Sequence, residues 1–130
     1  MMREQLIAAA TKAREMAYVP YSNYKVGAAL LGKSGRIYTG CNVENASYGA
    51  SICAERTALV KAISEGEREF SMIAVVTDSP KPSSPCGICR QVLYEFGPEI
   101  RLILANLQGD SFETSIAEYL PDGFGPRDLW

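Results

Sequence analysis

Apolar positions along this chain change period several times, and each change marks an element. Leu6, Ile7, Ala10, Ala13, Met16 and Ala17 recur at helical spacing and stop before Pro20, which predicts an opening amphipathic helix. Lys25 to Leu31 and Arg36 to Val43, joined through Gly32-Lys33-Ser34-Gly35, predict a β-hairpin. Asn45 to Gly49 reads as loop. Cys53 to Ile63 predicts a strong helix closed by Gly66. Met72 to Thr77 is an apolar run of strand length, and the proline-rich Ser79 to Pro85 that follows can only be loop. A further helix is predicted from about Cys86 through Tyr94, ending at Gly97-Pro98. Arg101 to Ala105 reads as a buried strand, and Ser115 to Leu120 as a short helix before a loop and tail.

The order is therefore helix, two hairpin strands, helix, strand, helix, strand. Apolar strands alternating with helices predict an α/β layered domain with helices packed on a mostly buried sheet. No repeat or linker interrupts the pattern, so residues 1–130 are expected to form one domain.

Composition sharpens this picture in a few places. The chain is 47% apolar and 22% charged, as globular proteins are. A chain of this size buries roughly two-thirds of its unfolded surface, so it needs no disulfide framework. The net charge is −2, and Arg56, Arg68, Arg90 and Arg101 stand apart in sequence. That distribution argues against a polynucleotide partner, which calls for a basic footprint. The start, Met1-Met2-Arg3-Glu4-Gln5, has no apolar leader character, and no run approaches the roughly 18 residues of a membrane span. A soluble cytoplasmic protein is the expectation.

Four cysteines and no histidine restrict the chemistry. Any metal site must be built from thiolates and carboxylates. Cys53-Ala54-Glu55 and Pro85-Cys86-Gly87-Ile88-Cys89 each sit where a loop enters a helix, and the helix N-terminus favours thiolates there. The Cys-x-x-Cys spacing lets two sulfurs reach one ion, and Cys53 adds a third. Three sulfurs leave a fourth tetrahedral position for water, as in catalytic zinc sites. Glu55, two residues from Cys53, can share that site only if the site lies off the helix end. A free carboxylate there can take and return protons. Two other readings of the same residues stay open: a redox-active Cys-x-x-Cys pair, and a closed structural zinc site with Cys41 as fourth ligand. Cys41 falls within a predicted strand, where a small buried hydrophobe is the alternative.

Taken together, these residues resemble the zinc-dependent cytidine deaminase family in its short form with three cysteine ligands. The resemblance extends through Val19 to Ala29, Gly40 to Tyr48, Cys53 to Ala58, Pro85 to Val92 and Leu120-Pro121. It implies a three-layer α/β/α fold with a mixed sheet of about five strands and helices on both faces. It implies hydrolytic deamination of cytidine and 2′-deoxycytidine to uridine and 2′-deoxyuridine, with release of ammonia, in pyrimidine salvage. By position, Cys53, Cys86 and Cys89 would hold one Zn²⁺ per subunit, and Glu55 would move the protons. The Ala54 backbone would contact the base, Asn42 and Glu44 would bind ribose, and Tyr24, where the family usually has Phe, would pack against the base. Arg56 would hydrogen-bond the thiolates, supported by Gln91. Family members are homotetramers with pockets shared between subunits, which implies that Ala46, Tyr48 and Phe124 reach a neighbour's ligand. The Asn42 and Glu44 pair suits a free sugar better than a phosphate backbone, so no nucleic acid and no membrane partner is expected.

Overall fold

A computed structural model of the chain describes residues 2–129. The elements follow in the order α1 (Met2–Arg14), β1 (Val26–Gly32), β2 (Ile37–Cys41), α2 (Ala54–Ser64), β3 (Phe70–Thr77), α3 (Gly87–Phe96), β4 (Arg101–Asn106), β5 (Ser111–Ser115) and α4 (Ile116–Tyr119). Short 3₁₀ turns occupy Tyr48–Ala50 and Pro126–Asp128. The strands form one mixed sheet in the order β2-β1-β3-β4-β5. Only β3 and β4 run parallel, with Thr77 paired to Asn106, and α3 makes the crossover between them.

Alternation along the strands sorts the core into two layers. Ala28, Leu30, Ile73, Val75, Leu102 and Leu104 pack beneath α2 and α3 with Ala58, Leu59 and Leu93. Their sequence neighbours Ala29, Ala74, Val76, Ile103 and Ala105 face α1 through Leu6 and Ala10. Both faces are covered, which is why these strands read as continuous apolar runs. Helices on both faces of a five-stranded mixed sheet make the expected three-layer α/β/α arrangement.

The small residues on the α1 face let that helix approach closely. A Cβ on Gly27 would lie 2.0 Å from the Ala10 carbonyl oxygen. On the other face, a Cβ on Gly40 would lie 2.5 Å from the Ala58 nitrogen, so α2 is drawn down onto β2. Gly66, at φ +98°, closes α2 in the left-handed conformation that its predicted role required.

Three expectations change. The first helix ends at Arg14 rather than running to Ala17, and Met16 is 78% exposed, off the apolar face assigned to it. The pattern also contained no signal for β5, because Ser111, Phe112 and Glu113 are all exposed and their alternation carries no apolar face. The last helix is shorter than Ser115 to Leu120. Ser115 is its cap, accepting from the Glu118 amide, while the Glu118 carboxylate accepts from the Ser115 hydroxyl.

Candidate active site

Two helix starts converge on one point. Cys53 is the N-cap of α2 and Cys86 the N-cap of α3, and neither sulfur caps its own helix. Both are therefore free to point together into the gap between the helix ends. Cys53 Sγ lies 3.7 Å from Cys86 Sγ, and Cys86 Sγ lies 3.4 Å from Cys89 Sγ. All three sulfurs fall within 4.8 Å of one another. Tetrahedral Zn–S bonds of about 2.3 Å would set sulfurs about 3.8 Å apart, so the donor set fits a single zinc ion. Cys41, at the end of β2, is not in this group, which removes the closed four-cysteine alternative.

Charge is arranged to hold thiolates there. Arg56, one turn along α2, donates to Cys53 Sγ at 3.6 Å. The Cys53 thiol is pushed down to about 5, foremost by the Cys89 thiol donating to it, and then by Arg56 and Cys86 against the opposing effect of burial. Cys89, buried beneath the cluster, holds its proton more firmly than usual because that proton is donated to Cys53. Without a cation the cluster thus favours a thiolate at Cys53 and a retained proton on Cys89, and a divalent ion bound by both sulfurs would displace that proton.

Glu55 is 4% exposed and makes no ion pair among the described residues. Burial lifts its carboxyl from 4.5 to about 7, opposed by its own backbone N–H, reinforced by the charge on Cys53 and eased by Arg56. A carboxyl poised there exchanges protons readily near neutral pH.

Above the thiols opens a cavity of about 500 Å³. It is lined by Tyr24, Asn42, Glu44, Tyr48, Cys53, Ala54, Glu55, Arg56 and Cys86, so the structure gathers most of the residues singled out from the sequence. Asn42 also accepts from the Val26 amide at 2.9 Å and donates to the Tyr24 carbonyl at 2.8 Å. Glu44 accepts from the amides of Tyr21 and Ser22 and from the Ser22 hydroxyl. The same side chains that face the cavity thus tie down the segment leading into β1. The Ser22 hydroxyl and the two amides hold the Glu44 carboxyl below the usual range, outweighing burial.

Ala46 and Phe124 do not line this cavity, and both are exposed. Gln91 departs from its expected role. Its amide donates to the Phe124 carbonyl at 2.8 Å, so it tethers the C-terminal loop and not Arg56. Its exposed place on α3 points it towards that loop.

Several contributors were not singled out beforehand. Arg90 donates to the Pro85 carbonyl, to Ser84 Oγ and to the Tyr119 carbonyl, clamping the loop that delivers Cys86 against α4. Asn106 donates to the Ser79 and Pro80 carbonyls and fixes the other end of that loop. The parallel pairing of Thr77 with Asn106 could have suggested this, but only once the sheet order was known. Thr77, Ser83, Val26 and Val75 also line the cavity.

Over residues 1–105 the chain matches the family model described as the cytidine and deoxycytidylate deaminase zinc-binding region, which spans all three clustered cysteines. The chain belongs to this deaminase family. It is 54% identical over 127 residues to a cytidine deaminase of Sporosarcina psychrophila, covering 97% of this chain and 93% of that protein. A cytidine deaminase of Halalkalibacterium halodurans is 54% identical over 130 residues, covering 99% and 98% respectively. The crystal structure of a cytidine deaminase from Burkholderia pseudomallei superposes with a TM-score of 0.93 at 54% identity, covering 95% of this chain and all of that one. Family and donor set agree on zinc as the cofactor. No helix among the described residues is long and apolar enough to cross a membrane.

Proposed function

We propose that this chain hydrolyses cytidine and 2′-deoxycytidine to uridine and 2′-deoxyuridine, consuming water and releasing ammonia. The observation that carries the reading is a buried carboxyl poised near pH 7 beside three clustered thiols, in the cavity that also holds Asn42 and Glu44. The close relatives named as cytidine deaminases support the substrate.

Cys53, Cys86 and Cys89 hold the zinc, which when bound makes water nucleophilic near neutral pH. Glu55 accepts a proton from the attacking water and delivers it to ring N3 as the water oxygen bonds to C4. It then takes the proton of the new C4 hydroxyl and passes it to the amine, so that the C4–N bond breaks, ammonia leaves and C4 becomes a carbonyl. Arg56 offsets the thiolate charge. Asn42 and Glu44 take the sugar hydroxyls, as an amide and a carboxylate can. The Ala54 backbone meets the base, and Tyr24 packs against it.

The working enzyme is a cytoplasmic homotetramer in this reading, with pockets shared between subunits. Exposure of Tyr48 (77%) and Phe124 (57%) supports it, since large aromatics on a small protein's surface suit a covered interface. Ala46 lies in the same exposed segment as Tyr48.

Purified protein mixed with cytidine should show the ultraviolet change of uridine formation, and Glu55→Gln should abolish it while retaining zinc. Near wild-type turnover in that variant would remove Glu55 from the reaction.

A further inference from the structure

One hydroxyl outside the cavity serves two residues that line it. Ser22 does not itself line the cavity, yet its Oγ donates to Glu44 Oε2 and accepts from the Tyr24 amide at 3.0 Å. Its single proton is thereby spent, so it has none to offer a ligand. Asn23, between Ser22 and Tyr24, stands at φ +58°, a left-handed conformation that asparagine tolerates and that turns the Tyr24 amide back onto Ser22 Oγ.

Counting bonds shows what the cavity keeps in reserve. Glu44 Oε1 accepts from the amides of Tyr21 at 3.0 Å and Ser22 at 3.2 Å, and Oε2 accepts from Ser22 Oγ. A carboxylate has about four acceptor positions, so one remains, on Oε2. Asn42 spends its oxygen on the Val26 amide and one amide proton on the Tyr24 carbonyl, which leaves one proton. A free acceptor and a free donor on the same cavity are the complement of a hydroxyl, which gives and takes at once.

The two backbone amides grip Oε1 alone, about which a carboxylate can pivot. Ser22 pins the second oxygen and so fixes where the remaining acceptor points. It is also foremost among the donors that hold the Glu44 carboxyl below its usual range, so Glu44 meets a ligand as an anion. Cytidine and 2′-deoxycytidine share two sugar hydroxyls, the 3′ and the 5′. The 5′ group swings on an exocyclic carbon, whereas the 3′ group is fixed on the ring. An acceptor pinned in direction suits the donor that is already fixed, because less freedom is lost on binding.

We propose that Ser22 is a positioning residue for sugar recognition, which acts through Glu44 by aiming its free acceptor at the nucleoside 3′-hydroxyl. The inference rests on the deaminase reading.

The test compares kcat/KM for cytidine, 3′-deoxycytidine and 5′-deoxycytidine in the zinc-loaded wild type, Ser22→Ala and Ser22→Thr. The wild type should favour cytidine over 3′-deoxycytidine by at least about tenfold, the worth of a hydrogen bond to a charged group. Ser22→Ala should bring that ratio towards unity and leave the ratio of cytidine to 5′-deoxycytidine unchanged. Ser22→Thr keeps the hydroxyl and should keep both ratios. A merely structural role would lower all three rates alike and move neither ratio. Equal ratios of cytidine to 3′-deoxycytidine in wild type and Ser22→Ala overturn the proposal, as does a wild type indifferent to the 3′-hydroxyl. A change confined to the 5′-deoxycytidine ratio overturns it as well. Conversion of none of the three by the wild type overturns the deaminase reading and this proposal with it.

Discussion

Arg56 reaches Cys53 Sγ at 3.6 Å from three residues along the same helix. The segment that presents the thiol therefore presents its counter-charge as well, and folding α2 is enough to bring the two together. One further nitrogen of Arg56, Nε, is buried without a partner among the described residues. This guanidinium is held for the cluster and not for a surface carboxylate.

Arg56→Ala is accordingly expected to weaken zinc binding by about 10- to 100-fold, the range for losing a group that supports metal ligands. Competition with a chromophoric chelator measures this directly. Unchanged zinc affinity would reduce Arg56 to a bystander.

The thiols themselves give a sharper contrast. Cys86→Ala should lose stoichiometric zinc, and Cys41→Ala should keep it, because Cys41 lies outside the sulfur cluster. Zinc content per chain by elemental analysis separates them. Stripping the metal from the wild type should abolish deamination while far-ultraviolet circular dichroism persists, since the two core layers are built from aliphatic and aromatic residues apart from the thiols.

The relation between sequence and site explains what was legible. Cys53, Glu55, Cys86 and Cys89 were readable because their spacing at helix starts is a local property. Asn42, Glu44, Tyr24 and Arg56 followed from the family resemblance, and the structure places all four on one cavity. Most of the helix and strand order was readable because both sheet faces are covered and β1, β3 and β4 carry near-continuous apolar runs. What stayed hidden is long-range. Gln91 meets Phe124 across 33 positions, and Thr77 meets the cavity only because β3 lies beside β1. β5 was silent because an exposed edge strand needs no apolar alternation.

Close helix packing supplies a stability prediction. A methyl group at Gly27 would meet backbone atoms of α1, the Ala10 carbonyl at 2.0 Å and the Arg14 nitrogen at 2.7 Å. Neither can swing aside as a side chain would. Gly27→Ala should therefore cost at least about 3 kcal/mol, the upper end for overpacking. Gly49→Ala, with open space around its Cβ position, should cost far less. Urea unfolding of both variants checks the difference, and equal midpoints would contradict the close approach of α1.

The last expectation concerns pH in the metal-free protein. Burial lifts the Glu55 carboxyl from 4.5 to about 7 in the folded state. A carboxyl raised in this way binds more protons when folded than when unfolded. Its contribution to stability is fully present below 4.5 and is lost as pH rises through about 7. Cys53, pushed down to about 5, works in the opposite sense over pH 5–9 and would mask this in the wild type alone. Comparing wild type with Glu55→Gln isolates the carboxyl, because both carry the same thiols. The stability of the metal-stripped wild type relative to Glu55→Gln should fall by on the order of 3 kcal/mol between pH 4.5 and 7. Chemical unfolding at a series of pH values reads it out, and a difference that stays flat across that window would show that the Glu55 carboxyl is solvated and ordinary.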